Sequence, residues 1–258
     1  MVLAIAAAAL ALASPASFLQ MHQGADGGFA DTSGTADAAL TSWATLALAA
    51  ADADTGKAQE FLRAHEDTLH AQTDLALVAM AETLAGDTHL LERLSTRPTR
   101  LTNAAIWTIL AFRQAGRAPP AALVEALRAR QHRTGGWAWL QGGRPDSNDT
   151  AAAIEALRAA GVSGRPITRG LTALRTFQNG DGGFELSHGR GSDAQSTAWA
   201  IQAYLAAGRR APRSAYAYLA RLRRPDGSYR YSARYAVTPV WVTAQVMPAL
   251  AGKPFPLR

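Results

Sequence analysis

Six apolar segments of helical length recur along the chain, and each follows a shorter amphipathic segment. The apolar segments span residues 37–50, 73–85, 103–115, 149–160, 196–207 and 238–251. The amphipathic segment AALVEALRARQ at 121–131 carries its charged residues on one side of a helix. Since a helix that is apolar on most faces must be covered on all sides, the pattern predicts six inner helices covered by six outer ones.

Two stretches of the chain, 130–161 and 177–208, are copies of one pattern. In each, a helix end is followed by a double glycine with an aromatic residue, a polar loop and an apolar helix. The double glycines begin at Gly135 and Gly182, 47 residues apart, and the helix-ending glycines Gly161 and Gly208 keep the same spacing of 47. Two features that repeat in phase indicate a repeat protein.

Glycine turns follow four of the predicted outer helices, at residues 26–29, 134–137, 181–184 and 226–229. Glycine adopts positive φ without steric cost, so the chain can reverse tightly there. Each turn ends in an aromatic residue that can wedge between neighbouring repeats and bury a large apolar area. We therefore interpret these turns as structural elements of the repeat.

Six helix pairs fit two concentric rings, an all-α (α/α)6 toroid with six inner and six outer helices. A toroid closes on itself and needs no capping repeats, and neither end of this chain shows a strongly polar cap. Two pairs between residues 57 and 116 keep the pattern without a glycine turn. We expect one toroid domain over residues 14–258.

The first thirteen residues, MVLAIAAAALALA, form an uncharged apolar run that precedes a cluster of small residues. The run is too short to span a membrane as a helix and resembles the core of a signal peptide. We interpret residues 1–13 as a signal-peptide remnant and expect a secreted or cell-envelope protein. If the run is instead the first helix of the toroid, a cytoplasmic location is expected.

Charge is distributed unevenly over the 258 residues. Residues 1–128 contain 8 basic and 13 acidic residues, a net charge of −5, whereas residues 129–258 contain 18 basic and 7 acidic residues, a net charge of +11. Part of this excess is an arginine patch made of Arg209, Arg210, Arg213, Arg221, Arg223, Arg224, Arg230 and Arg234. Such a patch suits contact with an anionic membrane surface, and a solvated surface is the alternative. No nucleic-acid motif accompanies it, so no nucleic-acid partner is expected.

The glutamines before the glycine turns point to a family. Gln178 before Asp181-Gly182-Gly183-Phe184, and Gln131 before Gly135-Gly136-Trp137, resemble the Q…G-x-W/F repeats of the squalene–hopene cyclase and prenyltransferase superfamily. The ending VWVTAQVMPALAGKPFPL at 240–257 is similar to that of exported bacterial proteins with prenyltransferase/squalene-oxidase repeats. The resemblance implies an α/α toroid. It does not assign a function, since one fold hosts many functions.

The sharpest chemical motif is Pro145-Asp146-Ser147-Asn148-Asp149-Thr150-Ala151, which resembles the D-x-D-D-T-A motif of class II terpene cyclases. The resemblance implies that Asp146 and Asp149 are candidate acids. However, the central acid of the family is here Asn148, whose amide cannot protonate an alkene. In the repeat copy, Asp193 and Ser196 stand where the motif has Asp146 and Asp149. Helix capping by Asp, Ser and Asn is therefore the competing explanation.

If the toroid closes, the starts of its inner helices meet at one rim of a central cavity. We expect polar side chains at that rim and aromatic side chains on the walls below. The rim candidates are Asp37, Asp74, Asn103, Asn148, Asp149, Asp193, Ser196 and Thr238, and the wall candidates are Trp43, Trp107, Trp199, Tyr204 and Trp241. A polar rim above an aromatic pocket suits a small molecule. Core packing is the alternative role of the tryptophans.

Metal chemistry is not expected from the sequence. The chain has no cysteine, which excludes the Asp, Cys and His zinc site implied for protein prenyltransferases. His65 and His70 are five residues apart and do not share a helical face. We therefore expect no metal and no cofactor.

Three functions remain open. The favoured hypothesis is non-catalytic binding of an apolar, polyprenyl- or terpenoid-like small molecule in a central cavity. A terpene-cyclase-like isomerase that uses Asp146 or Asp149 as the acid is the first alternative. A structural or protein-interaction toroid without a ligand is the second.

Overall fold

The computed structural model describes residues 13–31, 34–94, 98 and 100–257. This part of the chain contains eleven α-helices and no strand longer than an isolated bridge. The helices are α1 (Pro15–Met21), α2 (Ala38–Ala50), α3 (Gly56–Ala64), α4 (Gln72–Glu82), α5 (Thr102–Gln114), α6 (Ala121–Ala129), α7 (Ser147–Ala159), α8 (Arg165–Arg175), α9 (Ala194–Ala206), α10 (Arg213–Leu222) and α11 (Pro239–Leu250). In the described ranges no helix has the length and apolar character to cross a membrane. The predicted signal-peptide segment lies almost entirely outside the described residues.

Six helices form the inner ring, and each starts within two residues of its predicted position. They are α2, α4, α5, α7, α9 and α11, and each packs against its two neighbours. The ring closes because α11 packs against α2, and because Asp31 accepts hydrogen bonds from the backbone N–H groups of Val240 (2.9 Å) and Trp241 (3.3 Å). The all-α toroid predicted from the sequence is therefore confirmed.

The outer ring differs from the prediction of six helices. In the described residues it contains five, which are α1, α3, α6, α8 and α10, and the place between α4 and α5 is taken by a 3₁₀ segment, His89–Arg93. Leu90, Leu91 and Leu94 are still buried there, so the segment covers the inner ring as an outer helix would. Pro98 lacks a backbone N–H and would interrupt a longer helix in this linker.

The predicted glycine turns are present, and they fix the spacing between repeats. Gly135 and Gly182 adopt φ of 99° and 88°. A Cβ atom at these positions would lie 2.5 Å from the carbonyl oxygen of Arg169 and 2.6 Å from that of Ser214, each in the following outer helix. The turns need glycine both for the left-handed backbone and for this close approach. The aromatic residues that follow, Phe29, Trp137, Phe184 and Tyr229, are all buried as predicted.

The glutamines of the repeat tie each turn to the next outer helix. Gln131 donates from Nε2 to the carbonyl oxygens of Gly135 and Pro166, both at 2.8 Å. Gln178 donates in the same way to the carbonyl oxygen of Gly182 and to Ser214 Oγ, both at 3.0 Å. A single side chain thus satisfies acceptors on both sides of the repeat junction.

The C-terminal tail closes the end of the ring where the inner helices finish. The Phe255 side chain is buried, and its backbone N–H donates to Glu155 Oε2 over 2.9 Å. Gln114 and Leu257 exchange two further hydrogen bonds, of 2.8 and 2.6 Å. The opposite end, where the inner helices begin, is the end that remains open.

Candidate functional site

A cavity of ≈ 520 Å³ lies inside the open end of the ring. Each inner helix lines it with one residue of its first turn and with the residue four positions later, because such residues share a helix face. The pairs are Ala39 and Trp43, Thr73 and Leu77, Asn103 and Trp107, Asn148 and Ala152, Gln195 and Trp199, and Trp241 and Gln245. The side chains at the mouth are mainly polar, and most of those below are apolar.

Three tryptophans from alternate inner helices meet at the bottom of the cavity. Trp43, Trp107 and Trp199 pack edge to face, with ring centroids 5.2, 5.5 and 5.9 Å apart. The Phe255 ring of the tail lies within 6.1 Å of Trp43 and 5.9 Å of Trp199. The aromatic floor of the cavity is therefore supported from the closed end of the toroid.

Two of the three indole N–H groups of this floor are satisfied within the protein. Trp107 Nε1 donates to Asn103 Oδ1, and Trp199 Nε1 donates to Gln245 Oε1, each over 2.7 Å. Because buried N–H groups normally need such partners, these bonds fix the orientation of both rings. The surface that these two rings present to a ligand is consequently apolar.

One wall carries two carboxyl groups, those of Asp146 and Asp149. Asp146 is the N-cap of α7, and its Oδ1 accepts a hydrogen bond from the Asp149 N–H over 2.8 Å. Asp149 occupies the first turn, where a capping carboxylate would reach back to the N-cap N–H. That N–H donates instead to the carbonyl oxygen of Trp137 (3.1 Å), and the Asp149 side chain lines the cavity.

Burial raises the pKa of Asp149 to about 8, with further contributions from the charge of Asp146 and from a hydrogen bond between the two carboxyl groups. The pKa of Asp146 is also raised by burial, while its hydrogen bond to Asp149 opposes that rise. Asn103 Nδ2 donates to Asp149 Oδ1 over 3.2 Å, which lowers the pKa of Asp149 somewhat. The pair thus retains one proton at neutral pH, held mainly on Asp149.

Most of the predicted site residues lie together in this cavity. Asp146, Asn148, Asp149, Asp74, Asn103 and Trp241 line its mouth, and Trp43, Trp107 and Trp199 line its lower part. Burial also raises the pKa of Asp74.

The remaining candidates are placed elsewhere. Asp37 caps α2 by accepting from the Leu40 N–H (2.8 Å), and together with Thr238 it lines an adjoining cleft. Asp193 and Ser196 are buried and bonded to each other, since the N–H and Oγ of Ser196 donate to the two carboxylate oxygens of Asp193 at 2.7 and 2.8 Å. Asp193 and Ser196 therefore cap the start of α9, which is the alternative to a ligand-binding role that the sequence left open.

Tyr204 does not reach the cavity either and lines a separate cleft on the outer side of the ring. Gln195 lines the cavity in place of the predicted Ser196.

Trp139, Leu186 and Gln245 are among the further cavity residues that were missed from the sequence, although two signals point to these three. Trp139 and Leu186 lie 47 residues apart, at equivalent positions of the two repeat copies, and their loops cover the mouth. Gln245 follows Trp241 by four positions, so it lies on the same face of α11. The repeat period and the helical period together would have selected all three.

Comparisons with known proteins identify the fold. The ent-copalyl diphosphate synthase from Streptomyces platensis matches with a TM-score of 0.60 and 18% identity over 83% of this chain, which corresponds to 50% of the synthase chain. A protein from Actinoplanes matches with a TM-score of 0.63 and 18% identity, covering 92% of this chain and 97% of that one. This chain has the α/α-toroid fold of the terpenoid cyclases.

A wild-type glycosidase shares this toroid with a TM-score of 0.62 and 13% identity, covering 92% of this chain and 94% of that chain. No family model matches the sequence, and no curated protein matches it by sequence. Similarities at these identities concern the fold alone. The chain spans half of the synthase, so the activity of that enzyme does not transfer with the fold.

Proposed function

We propose that this protein binds an apolar, isoprenoid-like small molecule in the central cavity of the toroid. The observation that carries the proposal is the floor of Trp43, Trp107 and Trp199, in which the N–H groups of Trp107 and Trp199 are bonded within the protein and Phe255 supports Trp43 and Trp199 from below. The volume of ≈ 520 Å³ lies within the range of about 300–1,000 Å³ typical of small-molecule sites. Burying a hydrocarbon chain against these rings supplies the binding free energy.

The charges at the mouth favour a neutral polar end on the ligand. Asp74, Asp146 and Asp149 line the cavity, and no Lys or Arg does so among the described residues. A diphosphate group would meet carboxyl groups without a compensating cation, which disfavours binding. An alcohol, in contrast, can donate a hydrogen bond to a carboxyl oxygen at the mouth. The proposed ligand is therefore a neutral isoprenoid.

A second candidate function is acid-catalysed isomerisation of such a ligand. The observation that favours it is the retained proton of Asp149, buried in the wall of an aromatic cavity. Asp149, with Asp146 beside it, would transfer this proton to an alkene carbon, and the indole faces would stabilise the carbocation. The Asp149 carboxylate would then accept a proton from an adjacent carbon, which gives the isomer and restores the acid. Asn148, which stands at the central position of the cyclase motif, takes no part in this scheme.

Native mass spectrometry of gently purified protein tests the binding proposal. The expected result is a bound neutral isoprenoid that leaves under denaturing conditions. Protein that carries no lipid and does not take up farnesol or squalene from a mixture would contradict it.

Incubation of a loaded ligand in heavy water then distinguishes binding from isomerisation. Deuterium incorporation that disappears in Asp149→Asn supports catalysis, and no incorporation supports binding alone.

A further inference from the structure

Three metal-ligating side chains meet where the outer ring departs from its repeat. Glu66 lies in the 3₁₀ segment Glu66–Thr68 after α3, Glu82 is the last residue of α4, and His89 begins the 3₁₀ segment that replaces an outer helix. One ligand atom from each of them lies within 4.8 Å of the others. None of the three lines the central cavity. We refer to them as the Glu66–Glu82–His89 cluster.

Glu82 is the buried member of the cluster and lacks a partner. Its exposed fraction is 1%, and neither carboxylate oxygen accepts a hydrogen bond from the described residues. Burial and the nearby charge of Glu66 raise the pKa of Glu82 to about 7. Buried carboxylates in proteins are normally hydrogen-bonded, paired with a cation or bound to a metal. The position of Glu82 is therefore that of an unsatisfied ligand.

His89 is oriented as metal-binding histidines are. Its Nδ1 lies 2.7 Å from Asp87 Oδ1, and its Nε2 points into the cluster, 2.7 Å from Glu66 Oε2. A carboxylate that accepts the proton of one ring nitrogen leaves the lone pair of the other nitrogen for a metal. Without a metal, the hydrogen bonds to Asp87 and Glu66 raise the pKa of His89 to about 9, so a metal ion at Nε2 would displace one proton and Asp87 would hold the other on Nδ1.

The fixed cations around the cluster do not reach its centre. Arg93 Nη1 lies 3.9 Å from Glu66 Oε2, and Arg63 Nε lies 3.7 Å from Asp87 Oδ2, both on the outside. In the described residues neither guanidinium group forms an ion pair with Glu82. Glu66, Glu82 and Asp87 thus face Arg63, Arg93 and the protonated His89, and a divalent cation would take the place of the His89 proton.

We propose that Glu66, Glu82 and His89 bind a divalent transition-metal ion, with Zn²⁺ as the best match. An imidazole nitrogen with two carboxylate oxygens suits zinc, whereas calcium and magnesium prefer oxygen ligands alone. Zinc bonds of about 2.0–2.2 Å require the three atoms to close to within about 4 Å of one another on binding. Water from the exposed side of His89 would complete the coordination.

The ion would have a structural role. It would connect the segment after α3, the end of α4 and the 3₁₀ segment before α5, which is the region of the outer ring with no α-helix of its own. A metal bond between these segments substitutes for the packing that a sixth outer helix would supply. We expect the ion to slow amide hydrogen exchange in the stretch 86–94.

Full-length protein without a polyhistidine tag, treated with EDTA and then dialysed, is the material for the test. Calorimetric titration with Zn²⁺ should show one site per chain, and Zn²⁺ should raise the melting temperature. Glu82→Gln and His89→Gln should abolish both effects, and Asp87→Asn should weaken binding by about 10–100-fold. His188→Gln is the matched control, because His188 is also exposed and lies 3.5 Å from a carboxylate, that of Glu185.

Glu82→Gln separates metal binding from folding. Without metal this variant should be at least as stable as the wild type, since it removes a buried carboxylate that has no partner. Zinc that fails to bind the wild type, or that stabilises the wild type and Glu82→Gln equally, would overturn the proposal. A response to Ca²⁺ or Mg²⁺ in the absence of one to Zn²⁺ would contradict the assignment of the ion.

Discussion

The side-chain amide of Asn103 donates a hydrogen bond to Asp149 across 3.2 Å, between two neighbouring inner helices. The oxygen of the same amide, Asn103 Oδ1, accepts a hydrogen bond from the Trp107 indole N–H at 2.7 Å, so the Nδ2 group of the amide faces Asp149. The acid of the cavity wall and the aromatic floor are therefore joined through one residue. This connection makes the ionisation of Asp149 sensitive to changes in the floor.

Asn103→Leu should raise the pKa of Asp149 above about 8. The donor that favours the charged carboxylate is lost, while the burial and the neighbouring Asp146 that favour the neutral form remain. The measurement is an NMR titration of the Asp side-chain carboxyl carbons. Asn148→Leu is the control, because Asn148 lines the same cavity without such a bond to Asp149. An unchanged or lowered pKa in Asn103→Leu would contradict the proposed arrangement.

The stability of the protein should fall with rising pH because of Asp149. Its folded-state pKa of about 8 lies above the ordinary value of 3.8, so the folded state binds more protons between these limits. This contribution is fully present below pH 3.8 and is lost as pH rises through about 8. The slope from one such group is at most about 1.4 kcal/mol per pH unit.

Urea unfolding of wild type and Asp149→Asn at several pH values measures this contribution. The difference in unfolding free energy between the two proteins should change steadily in favour of the variant from pH 5 to pH 7.5, a range between the two pKa values. Glu155→Gln serves as a control for the other buried carboxyl groups, since burial also raises the pKa of Glu155. Parallel curves for wild type and Asp149→Asn would show that Asp149 is ionised at neutral pH.

Trp107→Phe should destabilise the protein through a lost hydrogen bond. The substitution keeps an aromatic ring in the floor but removes the hydrogen bond to Asn103 Oδ1, and a hydrogen bond of this kind contributes about 0.5–1.5 kcal/mol. Thermal or urea unfolding checks the value. Trp139→Phe, at an exposed position of the mouth, should change stability by less than about 0.5 kcal/mol. Equal effects of the two substitutions would disagree with this account.

Phe255→Ala should destabilise the toroid and loosen the floor of its cavity. Phe255 packs beneath Trp43 and Trp199, and removing a buried aromatic side chain costs about 3–5 kcal/mol. Tryptophan emission should move to longer wavelength as water reaches the rings from the closed end. Leu250→Ala, at a partly exposed position of α11, is the control. A variant with unchanged emission and melting temperature would show that the tail does not support the floor.

The inner ring was predictable because its signal is local and repeated. Helices such as α7 and α9 are apolar on most faces, and this pattern placed their starts within two residues of those observed. The prediction of a sixth outer helix was wrong for an equally local reason. The leucines of 90–94 indicate a buried segment, but Pro98 would interrupt a longer helix there.

The candidate site was predictable only in part, because its finer geometry depends on which helix faces which. Asp146 and Asp193 are equivalent positions of the two repeat copies and both cap a helix, yet Asp146 lines the cavity and Asp193 does not. The approach of Glu66, Glu82 and His89 joins positions as far as 23 residues apart, through a backbone path that periodicity does not encode. Such contacts arise from tertiary packing.

Calorimetric titration of the protein with farnesol tests the central claim most directly, which is that the toroid cavity binds a neutral isoprenoid. We expect saturable binding with one molecule per chain, and weaker binding of farnesyl diphosphate. Ala39→Trp, which places an indole inside the cavity, should abolish binding. Ala121→Trp, at an exposed position of α6, should preserve it. No binding of farnesol or squalene to the wild type, or equal binding by Ala39→Trp, would contradict the account.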